Sequence, residues 1–203
     1  MHSDGVVVIN GGLFESHAYN NTTAAGLKEK YTYTVISKGE ITVNGGVIRG
    51  IHGALAVINA KGTVNNVKAY TFVTPMDGIS SPDSYYALYV AGEVGKVDVT
   101  VKNGTFISEK QAAVLVGNSN DGGEKEKASL TLLGGTFESK ALTYDFKYSE
   151  ETKGSIDIMG GTFKHDEALN MDSGGGKVKL STLINKDYEL KAVEGGFKVQ
   201  KKQ

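Results

Sequence analysis

The sequence predicts an all-β fold: a single-stranded right-handed parallel β-helix, a solenoid of about six or seven coils. Two observations predict it. The first is a short phrase that recurs as Gly11-Gly12-Leu13-Phe14, Gly45-Gly46-Val47-Ile48, Asn103-Gly104-Thr105-Phe106, Gly134-Gly135-Thr136-Phe137 and Gly160-Gly161-Thr162-Phe163. Successive copies start 34, 58, 31 and 26 residues apart, and a degenerate copy, Val64-Asn65-Asn66-Val67, divides the longest gap. A unit of roughly 20 to 40 residues cannot bury its own apolar face and has to stack on its neighbours. The second is a short run of alternating apolar residues before each copy, with almost no helical periodicity anywhere to compete with it.

Each part of the unit has its own reason. Before the five corners, Val7 and Ile9, Ile41 and Val43, Val99 and Val101, Leu130 and Leu132, and Ile156 and Ile158 are all aliphatic. The residues between them are Val8, Thr42, Thr100, Thr131 and Asp157, which makes a period of two with one buried face. Glycine at the corner supplies angles that a side chain disfavours, and asparagine, here Asn65, Asn66 and Asn103, is its usual substitute. After the corner come Phe14, Ile48, Phe106, Phe137 and Phe163, spaced to form an internal ladder. A second strand family follows the template Ala54-Leu55 with Val57, Ala87-Leu88 with Val90, Ala113-Val114 with Val116, Ala141-Leu142 with Tyr144, and Ala168-Leu169 with Met171. On that template Tyr144 is core, while Phe146 and Tyr148 cover an edge or a subunit contact. Strand families that alternate in constant order stack like on like, at about 4.8 Å per coil, into a rod about 30 Å tall. A propeller blade needs four strands and a leucine-rich repeat needs helical segments, and these units supply neither. The right hand follows from the preference of parallel crossovers.

The repeat runs nearly end to end, so residues 1–203 are read as one domain, with coils over 6–199. Loop insertions fall at 71–85 and 118–128, a further one spans 15–30, and a closing segment covers 186–203.

The phrase Leu130-Thr131-Leu132-Leu133-Gly134-Gly135-Thr136-Phe137-Glu138-Ser139 resembles the repeats of pectate-lyase-like β-helices, which are common in bacterial surface proteins and phage structural proteins. The run Tyr188 to Gln203, with Gly195-Gly196-Phe197, is similar to the short closing segment that often follows them. The resemblance implies the fold. It leaves activity open, because this architecture serves enzymes, adhesins and scaffolds alike.

Composition narrows the function classes. A net charge of −1, a pI near 6.4 and a single arginine, Arg49, argue against nucleic acid as a partner. Without cysteine there are no disulfides, thiolate metal sites or thiol nucleophiles. No stretch approaches the ~18 apolar residues of a membrane span. Met1-His2-Ser3-Asp4 leads into Val6 without a charged leader or cleavage site, so no signal peptide is read. The expected location is an extracellular surface or a virion.

Chemistry is sparse. Polysaccharide-cleaving β-helices cluster carboxylates on adjacent coils, and the candidates here are Asp145 and Asp172, read as near one strand end; their plain reading is a pair of solvated aspartates. Asp98 and Asp157 sit near equivalent outward positions but two coils apart, and Arg49 and His52 read as corner residues. His2, His17, His52 and His165 are scattered, without metal-ligand spacing, so no metal and no cofactor are expected. Asn118 to Glu124 is oxygen-rich enough to hold Ca²⁺ but fails the EF-hand register, and it reads as a polar loop. The Thr42, Thr100, Thr131 column lacks the second threonine column that ice binding needs, since Asn44, Lys102, Leu133 and Met159 stand beside it.

Function on a rigid scaffold concentrates in the insertions. The 71–85 segment holds both prolines, and Asp77, Tyr85 and Tyr86 near it are the candidate ligand-binding residues, for a glycan. The chain start shows no amphipathic cap over the stack end, which points to a preceding domain outside this sequence or to burial of that end against another chain, and so to a homo-oligomer or to attachment within a larger assembly. The expected function is a non-catalytic module for surface attachment or structural decoration. The alternative is a polysaccharide lyase or glycoside hydrolase of the pectate-lyase-like superfamily.

Overall fold

A computed structural model describes residues 1–16, 33–51, 53–72, 86–92, 95–117, 126–172 and 174–203. The chain is all-β, and the one helical element among the described residues is a 3₁₀ turn, Leu180–Leu183. Three sheets contain the strands, and the chain visits them in rotation. Sheet B takes Val7–Ile9, Ile41–Val43, Lys61–Val64, Val97–Val101, Ala128–Leu132 and Lys153–Ile158. Past each corner, sheet C takes Leu13–Ser16, Val47–Gly50, Lys68–Thr71, Thr105–Ser108, Thr136–Ser139 and Gly161–Phe163. Sheet A, which completes the unit, takes His2–Ser3, Tyr33–Ser37, Gly53–Ile58, Leu88–Ala91, Val114–Val116, Phe146–Tyr148 and Glu167–Asn170. All of these strands pair in parallel, each with the strand one unit away.

The columns expected from the sequence line the interior. Phe14, Ile48, Ala69, Phe106, Phe137 and Phe163 are in register down sheet C. Phe106, Phe137 and Phe163 are fully buried and stack face to face, at 5.2 and 4.9 Å between centroids. The corner glycines earn their place at Gly46 and Gly135, with φ of 104° and 108°; a Cβ on Gly46 would lie 2.8 Å from the carbonyl of Gly12. The asparagines do something else. Neither Asn65, Asn66 nor Asn103 has positive φ, so none substitutes for the left-handed glycine. Asn10, Asn44 and Asn65 instead form a side-chain ladder, Asn44 Nδ2 donating to Asn10 Oδ1 at 2.7 Å and Asn65 Nδ2 to Asn44 Oδ1 at 2.5 Å.

Sheet A corrects the second template. Leu55, Leu88 and Val114 share one inward column as expected, but the next members are Phe146 and Ala168, not Leu142 and Leu169. Phe146 and Tyr148 are therefore core, while Tyr144 belongs to a cluster on the outer face of the sheet. The connection before this strand, residues 140–145, is one residue longer than its counterpart 109–113 in the preceding unit.

Strand direction reverses at the C-terminal end. Lys177–Lys179 pairs antiparallel with Glu167–Asn170, and the hairpin Tyr188–Val193 with Gly196–Lys201 pairs antiparallel with Gly161–Phe163. Leu180, Leu183 and Val199 join the core cluster there, so this end is plugged and covered.

Candidate functional site

Asp145 and Asp172 do not form a pair. Phe146–Tyr148 pairs residue for residue with Ala168 to Asn170, so Asp145 precedes its strand and Asp172 lies beyond the far end of the neighbouring one. The offset of five residues is roughly 15 Å along the strand direction, outside the ~5–10 Å that two glycosidase carboxyls span.

Each aspartate instead holds a turn. Asp145 follows Ala54, Ala87 and Ala113, all fully buried, in one corner column, and it is itself 0 % exposed. Its carboxylate accepts from the backbone N–H of Ser139 at 2.6 Å and of His165 at 2.7 Å, and His165 Nδ1 lies 3.0 Å away. Burial pushes its pKa above the ordinary carboxylate value, and the contacts with His165 and Ser139 oppose the shift without cancelling it. The expectation of a solvated aspartate fails here. Asp172 accepts from Ser149 Oγ at 2.7 Å and from Glu151 N–H at 3.0 Å, clamping the turn that follows Tyr148.

The other charged candidates also have structural partners. Arg49 lies within a strand of sheet C, not at a corner; its guanidinium pairs with Glu15, donates to Tyr70 Oη at 3.0 Å and rests near the Tyr70 and Phe72 rings. Asp98 and Asp157 occupy different outward columns, Asp98 beside Ser129 and Asp157 beside Thr131. Asn185 Nδ2 donates to Asp157 at 2.7 Å. His52, Asp77, Tyr85 and the Asn118 to Glu124 loop lie outside the described residues. Among the described residues, no three His, Asp or Glu side chains are grouped to hold a metal ion, and no helix is long and apolar enough to cross a membrane.

Tyr86 leads to the most distinctive surface. Strands of sheets B and C alternate buried and exposed residues, whereas Gly53–Ile58, Leu88–Ala91 and Val114–Val116 are buried on both faces. The outer face of sheet A is a second apolar cluster: Tyr33, Ala56, Ile58, Tyr86, Tyr89 and Leu115, with Ala91 and Ala112. The Tyr33 ring lies across Gly53, where a Cβ would strike it, and stacks on Tyr89 at 5.6 Å; Tyr86 stacks on Tyr89 at 6.4 Å. Burial raises the Tyr89 phenol well above its ordinary value.

Along this face the column Ile36, Ala56, Tyr89, Leu115, Lys147, Leu169 changes from apolar to cationic. The Lys147 ammonium sits 5.6 Å from the centroid of the Tyr86 ring and 5.8 Å from that of Tyr144, and donates to Gln111 Oε1 at 2.8 Å. Partial burial pulls its pKa below the ordinary lysine value. Lys177 approaches Tyr144 from the next strand, 5.9 Å from the ring centroid, and donates to Thr143 Oγ1 at 2.5 Å. Gln111, Tyr144, Lys147 and Leu169 are half-buried and Lys177 is exposed, so the cationic end of the face meets solvent. Every stretch outside the described residues, 17–32 and 73–85 included, lies next to a strand of sheet A in the chain.

Sequence reasoning found Tyr86 and missed Lys147, Gln111 and Tyr144 as its companions. The available signal was the outward column Ala56, Tyr89, Leu115, Lys147, which appears only once the last strands are placed in correct register. No protein-family model, no curated protein and no solved structure matches this chain.

Proposed function

We propose that this chain is a right-handed parallel β-helix of the pectate-lyase-like kind, a non-catalytic attachment module of a bacterial surface or a phage virion, and that it binds glycan on the outer face of sheet A. The return of every third strand to the same sheet supports the β-helix. The binding reading is carried by one observation: the Lys147 ammonium between the rings of Tyr86 and Tyr144, held by Gln111, on the outer face of the sheet whose strands the insertions adjoin in the chain. Apolar ring faces with a few fixed polar groups are what a saccharide requires of its site, stacking for its C–H face and donors for its hydroxyls.

The lyase or hydrolase alternative loses its carboxylate pair, because Asp145 is buried among backbone donors and Asp172 stands at the other strand end. The test is a glycan array with the full chain, followed by calorimetric titration of the best ligand. Tyr144→Ala and Lys147→Ala are each expected to weaken binding about tenfold or more while leaving the unfolding transition cooperative. Silence across the array, or reducing-sugar release that is lost in Asp172→Asn, overturns the reading.

A further inference from the structure

The apolar face of sheet A ends in polar groups that can only donate. Lys147 projects half-buried beside Tyr86 and Tyr144, and its ammonium gives one hydrogen bond, to Gln111 Oε1 at 2.8 Å. An ammonium has no lone pair to accept with, so this contact fixes the Gln111 amide: its oxygen is on the lysine, and the two Nε2 hydrogens are left over. Next to Tyr144 in the chain, Thr143 Oγ1 accepts from Lys177 Nζ at 2.5 Å, which leaves the Thr143 hydroxyl proton as a donor. Among the described residues, none of these remaining hydrogens on Lys147, Gln111 and Thr143 has an acceptor.

The charges lean the same way. Lys140, Lys153, Lys177 and Lys179 each meet a carboxylate, Glu109 at 2.6 Å, Glu150 at 2.8 Å, Glu167 at 3.3 Å and Asp166 at 2.9 Å. Lys147 meets none within 4 Å among the described residues, and burial lowers its pKa with no neighbouring carboxylate to oppose the shift. A half-buried cation facing a neutral amide and two ring faces lacks the counter-charge that offsets its desolvation. Lys177 already has Glu167, so the site presents one uncompensated positive charge and not two.

From this donor set we infer that the glycan is an acidic one, and that Lys147 takes a single monoanionic substituent of it, a carboxylate or a sulfate ester; this rests on the glycan site proposed above. An oxyanion against the ammonium forms a charge-assisted hydrogen bond, and the Gln111 amide beside it supplies a second donor. The sugar ring that carries the acid then stacks on Tyr144, with the Thr143 hydroxyl left for a ring substituent. A phosphate monoester carries nearly two charges and fits this single cation less well. A neutral sugar accepts the hydrogen bonds but leaves the charge unanswered.

The test is an array on which each neutral oligosaccharide stands beside its carboxylate, sulfate and phosphate forms, followed by calorimetric titration of the full chain with the best set. The carboxylate or the sulfate form is expected to bind about tenfold or more tighter than its neutral parent, and the stronger of the two names the source of the anion. Lys147→Gln is expected to abolish that preference while holding affinity for the neutral parent within about twofold, Lys147→Arg to retain the preference, and added sodium chloride to shrink it in the wild type. Neutral parents that bind as tightly as their acidic forms overturn the inference and leave the glycan reading standing; silence across the array overturns both. A preference that survives Lys147→Gln, or that favours phosphate, also overturns it.

Discussion

Sheets A and B are built from the same repeat and face opposite solvation. Across sheet B the outward residues are threonine, lysine, aspartate and serine, as befits a sheet with water on one side. On sheet A the outward residues are Ala56, Tyr89 and Leu115, and its central strands are buried on both faces. A repeat that only had to stack would have no use for that difference, since stacking consumes the inward columns alone. The extra apolar face is a second core laid against the first, and it changes what a substitution does on either side. Leu115→Ala is expected to cost about 2–5 kcal/mol, comparable to Leu130→Ala in the interior. Thr131→Ala on sheet B is expected to stay within about 0.5 kcal/mol. Urea denaturation of the three variants checks the contrast; a cost for Leu115→Ala near that of Thr131→Ala would break it.

The same contrast decides how much of the molecule was legible. On sheets B and C one face is wet, so alternation shows in the residues, and Ile41, Val43, Leu130, Leu132 and the Phe106, Phe137, Phe163 ladder are all placed by it. Sheet A shows almost no alternation, because Gly53–Ile58 and Leu88–Ala91 are apolar on both faces. Periodicity therefore says nothing about which side of those strands is inward. The template Ala-apolar-x-apolar then fits Ala141 to Tyr144 in sequence, although Asp145 to Tyr148 takes the place in the structure. What breaks the tie is a polar corner, Ser139, Asp145 and His165, joined by hydrogen bonds that span 6 and 20 residues and that no local pattern announces. The functional reading suffered for the same reason: Tyr86 was visible as an aromatic residue beside an insertion, while Lys147 became its neighbour only through the register.

That corner is the next place to press. Asp145→Ala removes the acceptor of the buried Ser139 N–H and the part-buried His165 N–H, where the three preceding units carry Ala54, Ala87 and Ala113, at an expected cost of about 1–3 kcal/mol. If the cost were absent, the carboxylate would be a spectator and the longer connection before Phe146 would need another cause. Its pH signature runs against the usual one for a carboxylate. The folded chain holds the Asp145 proton more tightly than the unfolded chain, whose carboxyl has the ordinary value of 3.8. The group's favourable contribution is therefore complete below 3.8 and is lost as pH rises through the raised folded value. Asp145→Asn cannot titrate, so wild type should lose ground to it across that window in urea midpoints measured at successive pH values.

The smallest effect expected is at Lys147, where the apolar face meets water. Partial burial lowers its pKa below 10.5, so the unfolded chain binds this proton more tightly than the folded one. Wild-type stability then carries a penalty at neutral pH that is relieved as pH rises from the lowered value towards 10.5. Lys147→Met keeps the length of the stem against Tyr86 and Tyr144 and discards the charge, at the loss of the hydrogen bond to Gln111. Its stability relative to wild type should therefore be greatest near neutrality and shrink steadily towards pH 10.5, with a net change under about 1 kcal/mol because the group is only half-buried. A difference that stays flat with pH would mean that water reaches the ammonium freely. Lys147 holds a charge on an aromatic surface against the cost of partial burial, and in the proposed function that charge meets the ligand. The same variant should therefore separate the two properties, losing glycan affinity while the fold becomes no weaker.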